Sequence, residues 1–138
     1  MTTKNHRPLC FADASGGALA ALGAAVARAL GHTDAVAATA GEARPLPAEV
    51  TAVLAEIGLE APSVLRLEEA LSNPHAIVWL ADGKAPVADA RAFPCKLLAA
   101  DAGELERLAT ARIVRDRLER LVETEQAGSS ALAARTAG

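Results

Sequence analysis

Aromatic side chains are nearly missing from this chain. Phe, Trp and Tyr together make up 2% of its 138 residues, with no Tyr, one Trp and two Phe. Surfaces that stack single-stranded nucleic acid need exposed aromatic rings, so the composition excludes that class. Runs of basic residues are missing as well, and the net charge is −3, which excludes a face that tracks the phosphates of DNA or RNA. No apolar stretch reaches the roughly 18 residues of a membrane span, and the nearest, residues 18–30, carries Arg28. The opening residues MTTKNHRP lack the apolar stretch of a signal peptide. Two cysteines, Cys10 and Cys95, are too few for a disulfide framework. The expectation is a cytoplasmic protein with reduced thiols and neither nucleic acid nor membrane among its partners.

Small apolar residues are what the chain has in quantity. Hydrophobic residues make up 51% of it and about a quarter is Ala, enough for one core in one domain. The stretch LCFADASGGALA, residues 9–20, reads as a strand that stops at Asp13, a Gly-rich turn, and the start of a helix. Ser15 is the expected N-cap of that helix, residues 18–30, and Gly31 its C-cap. Residues 35–40 make a second short apolar run. Val50, Val53, Leu54 and Ile57 recur at helical spacing before Gly58. Residues 67–71 suggest a short helix, AIVWLA (76–81) is the clearest buried strand, and residues 96–100 read as a fourth. In residues 104–125 the apolar positions Leu105, Leu108, Ala111, Val114, Leu118 and Leu121 mark a long amphipathic helix. Its charged residues, Arg107, Arg112 and Asp116 among them, are expected to face solvent.

Strands alternating with helices imply parallel pairing in a doubly wound α/β sheet, with ligands beyond the carboxyl ends of the strands. Asp13, Gly41, Asp82 and Asp101 fall at such ends. The expected organisation is an N-terminal tail over residues 1–6, an α/β domain over 7–125, and a flexible or partner-bound tail over 126–138.

Three strings in order resemble the low-molecular-weight protein tyrosine phosphatases and the related thioredoxin-coupled arsenate reductases. They are TAGEARPLPAEVTAVLAEIGLEA (39–61), AIVWL (76–80) and ADAGELERLATARIVRDRLERLV (100–122). The resemblance covers roughly residues 8–123. It implies four parallel strands in the order 2-1-3-4 with helices on both faces. It also implies a loop after the first strand, C-x5-R-[ST], whose thiolate attacks phosphorus or arsenic while loop amides and the Arg hold the anion. A later Asp, followed by Pro, serves as general acid.

Aligned without gaps, the nucleophile position falls on Asp13, the arginine on Leu19 and the hydroxyl after it on Ala20. The general acid matches Asp101, but Ala102 replaces its proline. A second register makes Cys10 the nucleophile, puts Gly16 at the arginine position, and needs an insertion before the helix. Neither register supplies the cation. Arg44 and Lys84, in neighbouring loops, are the candidates to replace it.

The resemblance thus implies a degenerate phosphatase. No catalytic residue is expected, and inward-pointing amides at a helix N-terminus are expected to take the Asp13 carboxylate in place of an oxyanion. The expected function is an accessory or regulatory subunit in a protein complex. One alternative is residual phosphatase or arsenate reductase activity from Cys10 or Asp13 with Asp101. Another is a small-molecule sensor built on the vacated loop, Asp13, Ala14, Ser15, Gly16, Gly17 and Ala18, with Asp101 facing the same pocket. That carboxylate pair lacks an evident third ligand, and His6, His32 and His75 share no ligand spacing, so no metal and no cofactor are expected. Cys10 and Trp79 read as core residues. Cys95 reads as more exposed and away from the redox positions of the reductases.

Overall fold

The computed structural model describes residues 8–73 and 75–137, with side chains as far as residue 124. In chain order the elements are β1 (Leu9–Asp13), α1 (Ala18–Ala29), β2 (Val36–Thr39), α2 (Ala48–Ala55), β3 (Val64–Arg66), α3 (Leu67–Ala70), β4 (Ala76–Trp79), β5 (Arg91–Ala92) and α4 (Glu104–Ala137). The strands form one parallel five-stranded sheet in the order β3-β2-β1-β4-β5. Its central three strands are those the sequence marks most strongly.

The edges depart from expectation. Residues 64–66, a short stretch leading straight into α3, pair with β2 and add a fifth strand. At the opposite edge the strand lies at Arg91–Ala92, not at residues 96–100. Phe93 N–H donates to Trp79 O at 2.8 Å and Cys95 N–H to Leu80 O at 2.8 Å, which prolongs the ladder past Pro94. Beyond Cys95 the apolar run leaves the sheet, with Lys96 and Leu98 exposed. Residues 1–6, the expected N-terminal tail, and His6 within it lie outside the described residues.

Alternation along β1 assigns its side chains to two cores. Phe11 joins α1, α2 and α4 on one face, with Ala37, Val78 and Leu80. Cys10 and Ala12 join Ala38, Leu67, Ala70, Ile77 and Trp79 on the other, under α3 and the segment after β4. Helix α1 is buried from Ala18 to Ala27, as its nearly unbroken apolar composition demands. Its small residues let it sit against the sheet, with the Phe11 ring filling the space beside Gly23. The helix ends in a left-handed Gly31 at φ 110°. His32 N–H donates to Ala27 O and Gly31 N–H to Arg28 O, which satisfies the last carbonyls.

Helix α4 buries Ala111, Val114, Leu118, Leu121 and Val122, but Leu105 is 81% exposed. Arg107 turns inward in its place, giving Nη1 to Glu49 Oε1 at 3.1 Å and Nε to Ala102 O at 3.0 Å. The charged face is also less solvated than expected. Arg115 donates to Val53 O and to Glu56 Oε1, each at 2.8 Å, and Arg112 grips the same Glu56 carboxylate. Those two arginines hold the Glu56 carboxyl down at about 2. The backbone of α4 stays helical to Ala137, past the expected end at residue 125, in keeping with the Ala, Leu and Arg of that segment.

The packing at Gly23 sets the sign of a substitution. Ala ordinarily favours a helix over Gly by about 1 kcal/mol. Here a Cβ would stand 2.4 Å from Phe11 Cδ1. Gly23→Ala is expected to destabilise the fold by roughly 1–3 kcal/mol, read as a lower urea midpoint at unchanged slope.

Candidate functional site

The loop between β1 and α1 closes on the carboxylate of Asp13, which is fully buried. Oδ1 accepts hydrogen bonds from Ser15 N–H at 3.2 Å, Gly17 N–H at 3.0 Å and the Thr39 hydroxyl at 2.8 Å. Oδ2 accepts from Ala20 N–H at 3.0 Å. Gly16 N–H turns to Thr39 Oγ1 at 3.2 Å. Parallel pairing of β1 with β2 sets Asp13 beside Thr39 and so delivers the hydroxyl.

Gly16 and Gly17 make the curve possible, with φ of 101° and 105°, a region that costs a side-chain-bearing residue dearly. Both also lie under close neighbours. A Cβ on Gly17 would meet Val64 Cγ1 at 2.6 Å, and one on Gly16 would meet the Arg44 stem at 3.0 Å. The residue before the first helical one is Gly17, not Ser15. With no side chain there, the cap is Asp13, reaching forward to the first-turn amide of Ala20.

Two cavities flank the loop. The larger, about 400 Å³, lies between Ala14, Ser15, Ala18 and Leu19 on one side and Asp82, Cys95 and Lys96 on the other. The smaller, about 330 Å³, lies between residues 14–16 and the segment that carries Glu42 and Arg44. Leu19 is buried and adds to an apolar wall. Arg44 lies over Gly16 and donates its backbone N–H to Gly16 O at 2.9 Å. Among the described residues no Arg or Lys nitrogen hydrogen-bonds to Asp13. Lys84 is exposed and lines neither cavity.

Several expected site residues are not brought together. Asp101 is exposed and lines neither cavity, so it does not share a pocket with Asp13. The loop ahead of α4 leaves it at the surface. Asp13 itself faces into the loop amides and is closed off from solvent. Cys10 is fully buried in the core on the α3 side, and burial pushes its thiol up to about 11. Alternation in β1 points Cys10 away from α1, to the opposite side of the sheet from Phe11.

Cys95, which the sequence suggested was more exposed, is 5% exposed and forms part of the larger cavity wall. Burial raises its thiol and nearby Arg117 partly opposes this. Cys95 was legible only through the sheet: the ladder bond to Leu80 carries it to the carboxyl edge. His32 is half-buried, and His75 is exposed with Nδ1 2.9 Å from Asn73 O. Trp79 is core. Among the described residues no three of His, Cys, Asp and Glu gather as metal ligands, and no helix is long and apolar enough to cross a membrane.

No family model and no curated protein matches the sequence. Solved structures do match. An arsenate reductase in its phosphate-binding state superposes with a TM-score of 0.70 over 89% of this chain and 98% of its own, at 13% identity. An arginine phosphatase from Geobacillus stearothermophilus gives 0.66 over 93% and 97%, at 18% identity. A low-molecular-weight protein tyrosine phosphatase from T. tengcongensis gives 0.60 over 86% and 96%, at 17% identity. The chain has the arsenate reductase and low-molecular-weight phosphatase fold. Within this fold the loop at the carboxyl end of β1 is closed here by a carboxylate of its own.

Two measurements follow from this geometry. Asp13→Asn replaces one accepting oxygen by a donor aimed at backbone N–H groups. It is expected to cost roughly 2 kcal/mol or more, read from the guanidinium midpoint. Cys10 in the native protein is expected to alkylate at about pH 8 at least about a hundredfold more slowly than an open thiol. Mass spectrometry across a denaturant series should show labelling rise only with unfolding.

Proposed function

We propose that this chain is a catalytically inactive protein of the phosphatase and reductase fold that works by binding, as an accessory or regulatory subunit. The observation that supports this is the Asp13 carboxylate accepting the hydrogen bonds of Ser15, Gly17, Ala20 and Thr39. A carboxylate cannot supply the thiolate chemistry of covalent catalysis. It also opposes an incoming oxyanion. Two like charges ~4 Å apart repel by about 4 kcal/mol at an effective dielectric near 20, and Leu19 offers no cation to offset this.

A scaffold without turnover acts through its surface. The helical backbone of α4, continuing to Ala137, offers a partner an extended element to grip. The second reading is a small-molecule sensor, favoured by the cavity of about 400 Å³ beside the loop, within the size range of ligand pockets. Its lining of Ala18, Leu19, Leu97 and Leu98 suits a neutral, mostly apolar ligand.

Purified protein is expected to release no phosphate from an aryl phosphate, and to reduce no arsenate, above the rate without protein. Turnover that disappears in Cys10→Ser or Cys95→Ser would overturn the reading. Tagged protein recovered from its own host, with co-purifying chains identified, tests the subunit role. Recovery of the chain alone, monomeric by light scattering, favours the sensor.

A further inference from the structure

Over residues 104–124, where its side chains are described, helix α4 carries arginines at 107, 112, 115, 117 and 120. The first three are each held by an acid: Arg107 by Glu49, Arg112 by Glu56, and Arg115 by Glu56 and Asp116. The last two are placed differently. Together with Arg91 of β5 they line a concavity of about 350 Å³ whose other walls are Phe93, Leu121 and Thr124. None of these residues is acidic. Among the described residues neither Arg117 nor Arg120 has an ion-pair partner. The Arg117 guanidinium stands 5.0 Å from the centre of the Phe93 ring, which holds it over the cavity without neutralising it.

The net charge of the chain is −3, so Arg117 and Arg120 side by side on one wall are a local concentration and not a reflection of general basicity. Like charges drawn to one small cavity repel each other, and an anion placed between them relieves that repulsion. We propose that this concavity between β5 and α4 binds an organic phosphate monoester, with its phosphate on the arginines and its apolar part on Phe93 and Leu121.

The chemistry selects a phosphate over a carboxylate. A phosphate monoester carries nearly two negative charges at neutral pH and three accepting oxygens. One such group engages two guanidinium forks, whereas a single carboxylate leaves one positive charge uncompensated. The apolar floor adds a reason for an ester over the free ion. This site shares no lining residue with either cavity at the Asp13 loop. Anion binding here is therefore compatible with a loop that repels anions.

The test is a titration of the full-length protein with phenyl phosphate, inorganic phosphate and a tetraglutamate peptide, followed by nitrogen-15 NMR of backbone amides and arginine Nε. Saturable shifts are expected at Phe93, Arg117, Arg120 and Leu121 and not at residues 15–20, with phenyl phosphate binding about threefold or more tighter than inorganic phosphate and both weakening as salt is raised. The double variant Arg117→Ala/Arg120→Ala, both exposed positions, is expected to lose about tenfold or more in affinity. Lys84→Ala, which removes the same kind of charge elsewhere, should leave affinity unchanged. The proposal is overturned by absence of saturable shifts, by shifts confined to residues 15–20, or by binding that the double variant leaves intact. A response to tetraglutamate alone reassigns the groove to acidic peptides. Equal affinity for the two phosphates removes the organic ester.

Discussion

A carboxylate with no solvent and no cation is a costly thing to place inside a protein. Asp13 is tolerated because the chain surrounds it with donors: the N–H groups of Ser15, Gly17 and Ala20 and the hydroxyl of Thr39. The N-terminal end of the α1 dipole adds to the same field. Much of the upper edge of the sheet depends on this arrangement. It caps α1, closes the turn at Gly16 and Gly17, and ties β1 to β2 through one side chain as well as through the ladder. The loop's own side chain takes these four hydrogen bonds.

The amides of the loop converge on a carboxylate of the chain itself, and the wall beside them includes Leu19. The larger cavity at the carboxyl edge offers a mostly apolar lining that also includes Asp82 and Lys96. Helix α4 divides its arginines. Arg107, Arg112 and Arg115 pair with Glu49 and Glu56, tying α4 to α2 and the residue after it. Arg117 turns toward Phe93 instead.

Legibility in the sequence followed the length and contrast of each pattern. Helix α1 and strands β1, β2 and β4 could be read from apolar runs ended by Gly or Asp, and their parallel pairing from their alternation with helices. Strands β3 and β5 could not. Each is too short to show a period, and each is held by its neighbour and not by its own composition. The run at residues 96–100 is apolar enough for a strand, but the ladder ends at Cys95 and the run beyond it borders the cavity. Leu105 fits the helical period of α4, yet Arg107 is the side chain that meets α2.

The amino-acid sequence by itself determined which side chains the loop after β1 has to work with: an acid at Asp13, an apolar residue at Leu19, and no Arg or Lys between them. It also determined the turn, because only Gly16 and Gly17 enter positive φ at low cost. Tertiary structure alone decided what the remaining residues amount to. It sealed Asp13 among amides, left Asp101 at the surface, sent Cys10 to the far core and brought Cys95 to the cavity. It also gathered Arg91, Arg117 and Arg120 around Phe93 from two separate elements. The physical reason is that burial and proximity depend on which faces meet across the sheet. Strand alternation and helix phase restrict those meetings, but only packing settles them.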